Sequence, residues 1–188
     1  MIRKLVFFVC TLPMTPSFSA EIVILQNEVY AKEMGLGNLC KDVKKELLAK
    51  SNFCEAIKFN GKNFSEPKWE ANNSNNSAAS YAILDYDNDG TVETLQRQKR
   101  KEFAECPQYD LPSEYIYSYI GEPNKPSKTT GVRGFRGHYA PFIYRATTLS
   151  YLSSGPVESR TIQFFYVRKS NFGLIYLPIC SIKVNASI

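Results

Sequence analysis

The sequence predicts an α+β fold, with an N-terminal helix packed on a mostly antiparallel sheet of about five or six strands. Three observations carry that expectation. Leu39, Val43 and Leu47 recur every fourth residue, while Lys41, Asp42, Lys44, Lys45 and Glu46 fill the other face. Later in the chain, runs rich in Tyr, Phe, Ile and Val are parted by short turn clusters, Ser153-Ser154-Gly155-Pro156 and Ser170-Asn171-Phe172-Gly173. A length of 188 residues suits one domain with a core of its own.

Taken in order, residues 1–20 read as a signal peptide. Arg3 and Lys4 precede an apolar run over 5–12, Pro13 and Pro16 end it, and Ser17-Phe18-Ser19-Ala20 offers small residues for cleavage after Ser19 or Ala20. The run is too short for a membrane span, and no later apolar run is long enough for one. Residues 21–188 then form a single α+β domain. Glu21-Ile22-Val23-Ile24-Leu25 reads as a short strand or the lead-in to a helix. Residues 29–34 suit a helical turn or two, broken by Gly35 and Gly37 before Asn38 caps the main helix. Phe53, Cys54 and Ile57 suggest a short continuation. Residues 60–80, with the sole Trp69, are polar and turn-rich and read as a surface loop.

The next stretch carries the chemistry. Tyr81-Ala82-Ile83-Leu84 is short and apolar, Asp85, Asp87 and Asp89 follow at alternate positions, and Gly90, Thr91 and Glu93 come next. A hard cation such as calcium takes about six to eight oxygens, which no single side chain supplies. Carboxylates at positions 1, 3 and 5 of a tight loop point inward. Glycine at position 6 permits the turn, the position-7 carbonyl of Thr91 adds an oxygen, and Glu93 adds another directly or through water. We read Asp85, Asp87, Asp89, Thr91 and Glu93 as calcium ligands. The EF-hand pattern asks for Glu at position 12, where this chain has Gln96, and the flanks read as strands rather than helices. The stretch resembles the calcium loop of FG-GAP repeats in integrin-type β-propellers, Asp-x-Asp-x-Asp-Gly-x-x-Asp, with Glu93 in place of the last Asp. That resemblance covers about nine residues, in one copy, and implies a cation loop joining two strands. The alternative is a metal-free acidic turn, since Asp87-Asn88-Asp89-Gly90 also favours a turn.

Past the loop, Arg97, Lys99, Arg100, Lys101 and Glu102 read as a solvated strand edge, or alternatively as a docking patch for an acidic partner. Residues 115–120 read as a strand with a packed face and an aromatic outer face. Residues 121–138 scatter Lys125, Lys128, Arg133, Arg136 and His138 among Gly131, Gly134 and Gly137. They form either a long surface loop or a cradle for an anion. Strands over 142–152, 161–168 and 174–184 complete the sheet, with Pro178 marking an edge or a bulge.

Of five cysteines, Cys10 leaves with the signal. Cys40, Cys54, Cys106 and Cys180 remain, an even number that in an exported chain implies two disulfides. Three pairings are open, among them Cys40–Cys54 with Cys106–Cys180. No close Cys-x-x-Cys pair supports zinc. The charge is 23 basic against 18 acidic residues, net +5, and losing Arg3 and Lys4 leaves +3. That balance is too mild for a nucleic-acid partner.

No catalytic set is visible. His138 is the sole histidine and no nucleophile motif accompanies it. The carboxylates of the loop lie too close together for two separate acid–base roles. The sequence therefore favours an exported, non-catalytic, calcium-braced binding or interaction protein of the periplasm or the secreted space. Its partner would be a protein or an envelope component. The alternatives are an exported hydrolase with a site near the 125–145 loop, built on His138, Arg133 and Arg136, and an immunity-type inhibitor of a secreted enzyme.

Overall fold

Side chains alternate between two faces along most of the chain, and strands dominate accordingly. A computed structural model describes residues 20–26, 28–50, 58–71, 79–99, 115–121, 136–137, 139–155 and 159–186. In chain order the elements are β1 (Ala20–Gln26), α1 (Glu28–Glu33), α2 (Leu39–Leu48), β2 (Phe64–Ser65), β3 (Glu70–Ala71), β4 (Ala79–Leu84), β5 (Glu93–Lys99) and β6 (Tyr115–Gly121). They continue with β7 (Arg136–Gly137), β8 (Ala140–Tyr144), β9 (Thr147–Ser154), β10 (Ser159–Ser170) and β11 (Gly173–Ala186). A six-stranded sheet runs β1-β11-β10-β9-β8-β2, and a five-stranded sheet runs β3-β4-β5-β6-β7.

This architecture corrects the α+β expectation. The fold is mostly β, in two antiparallel sheets rather than one, and its helices are short, six residues in α1 and ten in α2. The described chain also opens with a strand and not with the helix. A period of two says that each strand has one buried face. It does not say which neighbour buries that face, so a run of strands reads equally well as one sheet or as two.

The core follows from the alternation. Leu39, Cys40, Val43 and Leu47 of α2 are buried together with Ile162, Phe164, Ile182 and Val184 of the six-stranded sheet. Phe59 lies among Phe64, Phe142, Tyr151 and Phe164, with ring centroids 5.3–6.1 Å away. Cys40 is disulfide-bonded to Cys180 of β11, with a Cα–Cα distance of 5.9 Å. That bond excludes the Cys40–Cys54 with Cys106–Cys180 pairing. Cys54 and Cys106 lie outside the described residues, as do the signal segment 1–19 and the continuation around Phe53 and Ile57. Asn38 precedes α2, and its backbone carbonyl accepts the Asp42 N–H at 2.9 Å. Its side chain makes no capping bond.

Two local expectations need comment. Tyr115 and Tyr117 of β6 are buried while Ile120 is exposed, so the aromatic face of this strand is its packed face and not its outer one. Arg97 is drawn in beside them, its guanidinium 4.6 Å from the Trp69 ring and 4.4 Å from the Tyr115 ring. It therefore departs from the expected solvated edge; Lys99 is exposed, and Arg100, Lys101 and Glu102 lie outside the described residues. Pro178 sits at a register shift between β10 and β11, where Phe164 pairs with Cys180 and Phe165 with Pro178. The bulge tolerates a residue that cannot donate to the ladder, and β1 pairs with β11 only as far as Cys180, so among the described residues Pro178 also lies where β11 has β10 alone beside it.

Candidate metal centre

β4 and β5 pair antiparallel from Ala79↔Gln98 to Leu84↔Glu93, and the acidic run is the connection between them. Its local shape follows from its residue types. Both Asp85 carboxylate oxygens accept backbone N–H groups, from Asp89 and from Gly90, each at 3.0 Å. Asp89 Oδ1 accepts the Thr91 N–H at 2.8 Å. Gly90 has φ +88° with open space where a Cβ would lie, so the backbone angle and not crowding asks for glycine. The result brings ligand oxygens of Asp85, Asp87 and Asp89 within 4.8 Å of one another.

Glu93, the first residue of β5, is tied to the loop through Tyr86. It is 0% exposed, and its Oε2 accepts the Tyr86 N–H at 2.7 Å. Its Oε1 has no hydrogen-bond partner, and neither has either carboxylate oxygen of Asp87, which is 1% exposed. Burial, and after it the charge of Asp89, pushes the Asp87 carboxyl up. Burial pushes Glu93 up to about 7. The Tyr86 N–H opposes that rise, and the charges of Asp87, Asp89 and Asp85 add to it. Asp89, at the exposed rim, is held low chiefly by the Thr91 N–H. Thr91 is exposed.

Of the predicted set, Asp85, Asp87 and Asp89 are brought together, while Glu93 and Thr91 are not part of that cluster; Asp87 is its buried member and Glu93 a buried neighbour. Three buried carboxylate oxygens without donors, beside two more carboxylates, concentrate negative charge that Lys169, 4.0 Å from Asp89 at the rim, offsets only in part. The donors are all oxygen, the chemistry a hard cation takes. An Asp85, Asp87 and Asp89 cluster able to hold a metal ion is therefore present.

Two residues that the sequence reading passed over anchor this loop. Asn88, at φ +58°, sends its carboxamide into the fork between β9 and β10. The β9–β10 ladder ends at the Leu149↔Tyr166 pair. One residue further on, Asn88 Nδ2 donates to the carbonyls of Thr148 (3.0 Å) and Val167 (3.3 Å), and Asn88 Oδ1 accepts the Thr148 N–H at 3.0 Å. The side chain supplies the rung that the two strands no longer make. Tyr86 is buried and its hydroxyl meets Ser150 Oγ at 2.8 Å and the Tyr176 hydroxyl at 3.2 Å. With Ala82, Leu84, Leu95 and Val167 it forms a second apolar cluster joining the two sheets. Position offered the clue: in an alternating acidic loop, residues between the ligands point away from the cation and must find other partners.

The loop that holds Lys125, Lys128, Arg133 and His138 lies outside the described residues. Arg136 falls on β7, which pairs with β6. No helix among the described residues is long and apolar enough to cross a membrane. No protein-family model, curated protein or solved structure matches the chain.

Proposed function

We propose that residues 85–93 bind calcium through Asp85, Asp87, Asp89, Glu93 and the Thr91 carbonyl. The ion braces an exported, non-catalytic binding protein whose partner is a protein or an envelope component. One observation carries the reading: both carboxylate oxygens of Asp87 and Oε1 of Glu93 are buried with no hydrogen-bond donor. Like charges this close cost stability unless a cation joins them. With calcium they become ligands, and the β4–β5 hairpin is held in the β9–β10 fork that Asn88 occupies. Calcium then acts as a brace between the two sheets. The Cys40–Cys180 disulfide supports an oxidising compartment.

Thermal unfolding of wild type and Asp87→Asn tests this. In chelator, the variant should melt at or above wild type, because it loses an unpaired buried charge of nearly the same volume. With calcium at about a hundredfold excess over Kd, wild type should gain roughly 5–10 °C. The variant should gain little. Equal gains would place calcium elsewhere.

A further inference from the structure

We infer that the end of the molecule carrying the acidic loop docks on an anionic phospholipid surface, with Phe172 as its apolar prong. This rests on the calcium reading above. Beyond the fork, β10 pairs only with β11, through Arg168↔Ile175, Lys169↔Leu174 and Ser170↔Gly173. These rungs make a two-stranded arm that stands past the β9 side of its sheet. Its tip is fixed. Ser170 Oγ donates to the Gly173 carbonyl at 2.8 Å and accepts the Phe172 N–H at 3.2 Å. That ordered turn presents Phe172 with its side chain fully exposed. Burial on folding gives no reason for a large aromatic there.

The arm lies directly against the candidate cation site. Lys169 Nζ is 4.0 Å from Asp89 Oδ2, and the Val167 carbonyl accepts from Asn88. Among the described residues, three of the seven exposed large apolar side chains gather at this end: Val92 on the acidic loop, and Phe172 and Ile175 on the arm. Arg168 and Lys169 stand beside them, both exposed. An exposed aromatic at the tip of an arm that also carries Arg168 and Lys169 suits the boundary between headgroups and acyl chains, which needs no complementary pocket. Charge selects the anionic surface. In the metal-free state Asp85, Asp87 and Asp89 repel lipid phosphates. A bound cation neutralises them and leaves the exposed Arg168 to attract. Docking is therefore calcium-dependent.

Vesicle co-sedimentation tests this, using phosphatidylglycerol–phosphatidylcholine vesicles and phosphatidylcholine alone, in calcium or in chelator. Calorimetric calcium titration of each protein runs alongside. We expect binding to the anionic vesicles in calcium only. Phe172→Ala should weaken it about tenfold or more, since burying a Phe side chain contributes that much. Calcium binding should be unchanged in that variant. Arg168→Gln should weaken binding and steepen nothing in its calcium dependence. Calcium binding without vesicle binding overturns the docking and leaves the calcium reading standing. No calcium binding overturns both. Vesicle binding indifferent to calcium, to lipid charge or to Phe172→Ala overturns the docking, as does a calcium-induced dimer that Phe172→Ala abolishes.

Discussion

In the calcium reading proposed above, Glu93 is where a proton and a cation would compete for the same oxygens. Its ordinary value is 4.5, and in the metal-free fold burial lifts it to about 7. A carboxyl raised in this way holds its proton more tightly folded than unfolded. Its contribution to metal-free stability is thus complete below pH 4.5 and lost as pH rises through about 7. Calcium needs the ionised carboxylate, so stabilisation by calcium runs in the opposite sense and fades as pH falls below that value. Unfolding midpoints measured against pH should diverge, calcium over chelator, above about 7 and converge at lower pH. A calcium effect unchanged across that window would separate Glu93 from the site. At this scale much was legible. Alternating Asp85, Asp87 and Asp89 with Gly90 announce a carboxylate cluster able to hold a cation, and that cluster is present. Asn88 was not legible, because its three bonds go to Thr148 and Val167, sixty and seventy-nine residues away.

The β4–β5 hairpin matters because of what its tip enters. Replacing Asn88 by Ala removes the rung between β9 and β10, and should cost about 2–3 kcal/mol by urea unfolding. Asn88→Gly tolerates φ +58° and should recover only the backbone part of that cost. An Asn88→Ala protein as stable as wild type would show that the fork closes without the wedge. Elements themselves were readable where local chemistry is decisive. The spacing of Leu39, Val43 and Leu47 marks α2, and β-rich runs between turns mark β10 and β11. The single strand read over 142–152 is two, β8 and β9, parted at Arg145-Ala146, whose positive φ angles of +47° and +70° no glycine announces. Two-residue strands such as β2 and β3 leave no periodicity to detect. The tyrosines of β6 misled because an aromatic suits either face of a half-buried strand, and only the neighbour, here Trp69 and Arg97, decides.

On the scale of the whole molecule, two devices tie distant parts of the chain. One is the Cys40–Cys180 disulfide, spanning 140 residues. In the chain-entropy account its loss costs on the order of 4–5 kcal/mol. With those two paired, and Cys10 removed with the expected signal peptide, the sequence expectation of two disulfides predicts a Cys54–Cys106 bond. Peptide mapping without reduction should find both cross-links, and a Cys40–Cys54 peptide would contradict the fold. The division into two sheets was illegible because sheet membership is set by long-range pairing, as where β1 joins β11 across the length of the chain. The second device is the acidic loop, placed where the sheets meet. A calorimetric titration with calcium, with magnesium as the control, tests it most directly. The account predicts one site, tighter for calcium, with Kd of roughly 10⁻⁴–10⁻³ M or below, and absent in Asp87→Asn. No heat of binding at several-fold higher calcium, or the same binding in the variant, would contradict it.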